Sequence, residues 1–184
     1  MFSFLGGQAK QLVVSQTIPR GGRHWVINLA SDFRVVYDSD EYRVGREDLG
    51  VLDIDKDGRY EILQEITAFY GFNNFSSAET PLPLIIFKYD EKAGKYLPAN
   101  HLFQEYALKG IESEIGNLNS DESGYLSKRL DIALQYVFAG KEQEAWAFFD
   151  REYKHPDKEA VKSHIKAVLK EHPVYRFIYG KRAT

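Results

Sequence analysis

Leu49-Gly50-Val51-Leu52-Asp53-Ile54-Asp55-Lys56-Asp57-Gly58-Arg59-Tyr60-Glu61-Ile62-Leu63 is the stretch from which the rest of the chain is read. A short apolar run ends in aspartates at three alternate positions, a glycine interrupts, and Glu61 precedes a second apolar run. The flanks are short and rich in β-branched residues, so they read as strands and the acidic segment as the loop between them. Four carboxylates within nine residues repel one another at neutral pH unless a cation or the solvent absorbs the charge. Hard oxygen donors at steps of two, with Gly58 at the sharp bend, are what a Ca²⁺ loop requires. An EF-hand opens in the same way but needs a bidentate glutamate at its twelfth position and helices on both sides. Counted from Asp53, that position is Gln64, and the flanks are not helical, so the EF-hand is excluded.

The pattern D-x-D-x-D-G-x-x-[D/E] over 53–61 resembles the calcium loop of FG-GAP and VCBS-type repeats, the family that includes the integrin α-subunit propeller. That resemblance implies side-chain oxygens from Asp53, Asp55 and Asp57, the backbone carbonyl of Arg59, and Glu61 as the closing carboxylate. The family more often closes with aspartate; the longer Glu61 implies a looser or bidentate bite. Residues 84–98, LIIFKYDEKAGKYLP, are similar to the hairpin that often follows the loop in such repeats. Only one complete copy of the acidic motif is present, and roughly 100 residues of β-patterned chain fall short of the several four-stranded blades of a propeller. The alternative for the loop is a solvated turn that holds no ion.

The rest of the chain places this loop in an α+β molecule. Residues 11–17, 24–29 and 33–37 read as strands, with Pro19 and Gly21-Gly22 as one turn and Ala30-Ser31-Asp32 as another. Trp25, Ile27 and Leu29 alternate and predict the buried face of the second strand. Asp38-Ser39-Asp40-Glu41 reads as a solvated acidic turn. Residues 70–83 form a long connection rich in Gly, Asn, Ser and Pro; Tyr70, Phe72 and Phe75 within it make either a contact surface or packing beneath the sheet.

Near Asn100 the apolar period changes from 2 to 3.6. Leu102, Phe103, Tyr106, Ala107, Ile111 and Ile115 mark one helical face, and Leu126, Leu130, Ala133, Leu134 and Val137 a second, beginning near Asp121 or Ser123 and closed by Gly140. Ala145, Trp146, Phe148, Phe149 and Tyr153 mark a third, and Val161, Ile165, Val168 and Leu169 a fourth with Asp157 as its N-cap. Pro173 ends that helix, and 174–179 read as an extended tail. The expectation is an antiparallel sheet in 1–98, followed by a bundle of three to four helices in 99–184 packed on it, as two parts or one domain.

Composition narrows the function classes. The 184 residues are 43% hydrophobic and carry a net charge of −3, enough for a core and without the basic excess of a nucleic-acid binder. No run of about 18 apolar residues exists to span a bilayer. There are no cysteines, so thiolate catalysis and zinc-thiolate sites are excluded. Residues 1–7 have no basic n-region and too short an apolar stretch for a signal peptide. The five histidines lack metal-ligand spacing, and no phosphate loop, H-E-x-x-H or G-x-S-x-G occurs. With calcium as its only cofactor, the chain reads as a non-catalytic module for binding or scaffolding, with a protein or glycan partner. The resemblance implies a periplasmic or extracellular setting, where calcium is plentiful.

One enzyme reading competes. Val51-Leu52-Asp53-Ile54-Asp55 also looks like the first motif of haloacid-dehalogenase-type phosphatases, which implies Asp53 as nucleophile, Asp55 as general acid and Mg²⁺ as cofactor. Lys56-Asp57 stands where that motif has Gly-Thr, and the fold it needs is parallel α/β.

Overall fold

Alternating apolar residues and tight turns before Ala99 give way to helical periodicity after it, and in the computed structural model every named β-strand lies before that point and the longer helices lie after it. It describes residues 3–18, 21–30, 33–45, 48–118 and 124–180. The fold is α+β, with antiparallel sheets in the first half and helices in the second. Two compact units are present. One takes in the described residues up to Ile66 together with Leu84–Ala99; the other joins Thr67–Pro83 to the described residues from Asn100 onward. The connection at 67–83 thus belongs to the helical unit.

The first unit holds two sheets. β1 (Gln11–Ile18), β2 (Gly21–Asn28) and β3 (Arg34–Asp38) form an antiparallel sheet in that order. β4 (Gly50–Leu52), β5 (Glu61–Glu65), β6 (Leu84–Asp90) and β7 (Lys95–Pro98) form a four-stranded antiparallel meander. β6 and β7 are the expected hairpin, with Asp90 opposite Lys95. Gly21 and Gly22, expected in a turn, lie inside β2 opposite Ile18 and Thr17. The close approach there is made by Gly45, where an added Cβ would stand 2.3 Å from the Gly22 carbonyl oxygen.

β2 turns its other face inward. His24, Val26 and Asn28 are buried, while Trp25 and Ile27 are half-exposed. The polar members of the inner face have built-in partners. The Ser15 hydroxyl and His24 Nδ1 are 2.9 Å apart, the His24 N–H donates to the Ser39 hydroxyl at 2.9 Å, and the Gln11 amide donates to Asn28 Oδ1 at 3.0 Å. Hydrogen-bonded polar groups can be buried at little cost, which apolar alternation alone does not reveal. The acidic turn at 38–41 is likewise a structured element, α1 (Ser39–Tyr42). The Asp38 carboxylate caps it by accepting the Asp40 N–H, and Asp40 and Glu41 pair with Arg23 and Lys95.

Between the sheets lies an aromatic core. The Phe87 ring centroid is 5.1 Å from that of Tyr37 and 4.9 Å from that of Tyr42. Tyr42 donates to the Tyr96 carbonyl and Tyr96 to the Tyr60 carbonyl, so two of the buried phenols are satisfied. The Tyr37 hydroxyl, buried beside them, has no partner among the described residues.

The helical unit contains α2 (Gln104–Ala107), α3 (Ile111–Gly116), α4 (Tyr125–Phe138), α5 (Glu142–Glu152), α6 (Lys158–Glu171) and α7 (Pro173–Tyr179). The face expected for one helix at 102–115 is split into α2 and α3 at Gly110, whose φ of 88° ends a right-handed run. The apolar stripes of α4, α5 and α6 are buried as their spacing predicts, except that Val168 is half-exposed. The start expected at Asp121 or Ser123, the turn residues Pro19, Ser31 and Asp32, and the first two residues lie outside the described residues. The tail at 174–179 is α7, not an extended strand. Pro173 sits at its first position, where no N–H is needed, and His172 Nδ1 accepts the Val174 N–H. Tyr179 at its end donates to the Val137 carbonyl. Asp157 stands at the start of α6, but its carboxylate accepts from Tyr153 and pairs with His155 instead of capping the helix.

Two stability measurements test this packing. In urea denaturation, Val26→Ala is expected to cost about 2 kcal/mol and Ile27→Ala less, although the latter removes more carbon. The reverse order would put Ile27 inside. Tyr37→Phe removes a buried hydroxyl without a partner and is expected to leave stability unchanged or raise it by up to about 1 kcal/mol.

Candidate metal centre

The acidic loop joins β4 to β5, two antiparallel strands with Leu52 opposite Glu61, so the two ends of the 53–61 segment are brought together by the sheet itself. Inside the loop, Asp53 organises the backbone. Its two carboxylate oxygens accept the N–H groups of Asp57 and Gly58, each at 3.1 Å. Asp57 Oδ1 accepts the Arg59 N–H at 2.8 Å. Gly58, at φ 82°, makes the left-handed bend that a side chain would strain. Glu61 reaches back, and its Oε2 accepts the Ile54 N–H at 2.9 Å, closing the loop from the far side.

Asp53, Asp55 and Glu61 come together in this loop. Each offers an oxygen, and the three oxygens lie within 4.8 Å of one another. Asp57 stands beside this group rather than in it, and Arg59 turns its guanidinium outward to Glu91 at 2.5 Å. Gln64, at the EF-hand closing position, is buried and donates to the Asp48 carbonyl, away from the loop.

The residue that the sequence reading missed is Lys88 on β6. Ile62 pairs with Phe87, so the next step along the ladder sets Lys88 beside Glu61. Its Nζ lies 2.7 Å from Asp55 Oδ2, 3.1 Å from Asp57 Oδ2 and 3.2 Å from Glu61 Oε1. Glu61 is 1% exposed, and a carboxylate that far from water needs a charged or hydrogen-bonding partner. Partial burial works against the Lys88 charge, but the bonds to Asp55, Asp57 and Glu61 outweigh it and hold its pKa above the ordinary lysine range. The Asp57 carboxyl is held below its ordinary 3.8, chiefly by the Arg59 N–H; slight burial opposes this and the Lys88 ammonium adds to it.

The chain matches no family model, no curated protein and no solved structure.

The phosphatase alternative needs a parallel sheet wound by helices, whereas every strand pair among the described residues is antiparallel. The aromatic set of the long connection is divided. Phe72 is buried, its ring 5.5 Å from Phe69, 5.8 Å from Phe75 and 4.6 Å from His164. Phe75 is half-buried and Tyr70 is exposed.

The lowered Asp57 pKa fixes the sign of one pH effect. A carboxyl with a depressed native pKa adds stability that is present above its unfolded value and is lost as pH falls through the native value. Stability is therefore expected to fall below about pH 4, with a shallower fall in Asp57→Asn, as read by urea midpoints between pH 2 and pH 6. Equal slopes in both proteins would remove Asp57 from the acid transition.

Proposed function

We propose that the 53–61 loop is a Ca²⁺ site of the kind found in FG-GAP and VCBS-type repeats, and that the ion's role is structural. The observation that carries this reading is the convergence of Asp53, Asp55 and Glu61 oxygens, from the two ends of one strand-loop-strand, within 4.8 Å. Asp57 and the Arg59 carbonyl complete the set by resemblance, and water supplies the remainder of the 6–8 oxygens that calcium accepts. All the donors are hard oxygens, which favours calcium or magnesium over softer metals. Mg²⁺ demands a stricter octahedron and retains its waters, so the loop suits it less.

The surrounding protein is a non-catalytic module for binding or scaffolding, with a protein or glycan partner in a periplasmic or extracellular setting. The compartment and partner rest on the family resemblance and on calcium being plentiful there. No described helix is long and apolar enough to cross a membrane.

Thermal melting tests the site. Calcium is expected to raise Tm relative to chelator, by a stabilisation of a few kcal/mol at about 100 to 1,000 times Kd, and Mg²⁺ is expected to do less. Asp55→Ala abolishes the effect, while Asp40→Ala, which pairs with Arg23 on the other sheet, keeps it. Identical melting in calcium, magnesium and chelator would leave the loop an ion-free turn.

A further inference from the structure

An ammonium already stands among the oxygens that a metal would use. Lys88 Nζ touches Asp55, Asp57 and Glu61 at 2.7, 3.1 and 3.2 Å, and an ammonium has three N–H donors to meet three carboxylates. The lysine is no stray surface charge. It comes from a neighbouring strand, its side chain is 27% exposed, and the sheet register sets it beside the buried Glu61. Asp55 and Glu61 belong both to the ammonium's partners and to the three-residue group whose oxygens converge. A divalent ion bound through those oxygens would meet the Lys88 charge at a separation of a few ångströms in a partly desolvated place, where like charges repel strongly.

We propose that Lys88 is the resident cation of the acidic loop, and that calcium binds by displacing it, so that the site exchanges a tethered ammonium for a divalent ion. The exchange rests on the calcium reading above; the resident cation does not. A lysine stem has four flexible carbons, so the head can leave the loop while β6 stays in register. Because the competitor is part of the chain, its effective concentration is high at any dilution. Calcium affinity is accordingly set toward the weak end of protein sites, about 10⁻⁴–10⁻³ M, the range of extracellular modules.

The experiment compares the wild type with Lys88→Met, which keeps the apolar stem and removes the charge. Lys95→Met is the control, since Lys95 pairs with Glu41 away from the loop. In chelator, Lys88→Met is expected to melt several degrees below the other two. In calorimetric titrations it is expected to bind calcium about tenfold or more tightly than the wild type, as removal of a competitor requires. In the wild type, amine labelling read by peptide mass spectrometry is expected to reach Lys88 slowly in chelator and faster at saturating calcium, with Lys95 unchanged. The labelling decides the matter even if Lys88→Met does not fold without metal. Calcium binding of equal affinity to wild type and Lys88→Met, or Lys88 labelling that calcium does not change, overturns the exchange and leaves the calcium site standing. No calcium binding to either protein, with a lower chelator Tm for Lys88→Met, overturns the calcium reading and the exchange together and upholds the resident cation. Equal chelator Tm values overturn the resident cation.

Discussion

The meander of the first unit depends on neutralising the charge that its central loop accumulates. Asp53, Asp55, Asp57 and Glu61 lie within nine residues, and three of them place oxygens within 4.8 Å of one another. At that separation two unit charges in an effective dielectric of 20 repel by roughly 3 kcal/mol, a sizeable fraction of a domain's whole stability. Backbone N–H groups absorb part of this: Asp57 and Gly58 donate to Asp53, Arg59 to Asp57 and Ile54 to Glu61. The remainder falls to Lys88. Because Glu61 is almost wholly removed from water, its pairing with Lys88 is a condition of the strand order, not an ornament on it.

That pairing is possible because of strand alternation. Glu61 and Lys88 are neighbours across β5 and β6, and the next residues, Ile62 and Phe87, point to the opposite side. Phe87 there meets Tyr37 and Tyr42, and Ile62 is fully buried. One side of the same two strands therefore joins the sheets through aromatic packing, and the other holds the loop closed through charge. A register slip of one residue would exchange the two sides, placing Lys88 in the aromatic core and Phe87 among carboxylates. Each side enforces the register that the other needs.

Much of this was legible in the order of residues, and the exceptions share a cause. The acidic loop, the β6–β7 hairpin and the stripes of α4, α5 and α6 are local patterns, set by residues within a few positions of each other. The inward face of β2 was not legible, because His24 and Asn28 are buried through partners at Ser15, Ser39 and Gln11, and polar residues read as exposed until such partners are known. α7 reads as extended in sequence because Tyr175, Phe177 and Tyr179 mimic strand alternation, while Pro173, which opens the helix at its first position, reads as the stop of the one before it. Lys88 was hidden for the most general reason. It lies 27 positions from Glu61, and only the register of β5 against β6 makes them neighbours. The signal for it was present once a hairpin had been assigned to 84–98: an apolar strand carrying one lysine, next to a loop in need of positive charge.

On the calcium reading proposed above, the two cations of this loop ask different things of it. An ammonium is satisfied by three acceptors and brings a single charge, so it draws in Asp55, Asp57 and Glu61 while Asp53 keeps its backbone bonds. Calcium brings two charges and asks for more oxygens, so in the proposed exchange it would recruit Asp53 as well, and carboxylate oxygens that already accept one N–H retain a lone pair for it. Asp53 would therefore serve both proposed states without the turn being rebuilt. The bonds from Asp57 and Gly58 preform the loop whichever cation fills it, which lowers the ordering cost of binding. On that reading, a loop shaped by its own backbone and neutralised by its own lysine is folded before any ion arrives, and a bound ion would contribute the difference between two filled states rather than between order and disorder. That difference is smaller than the full stabilisation an ion confers on a bare acidic loop.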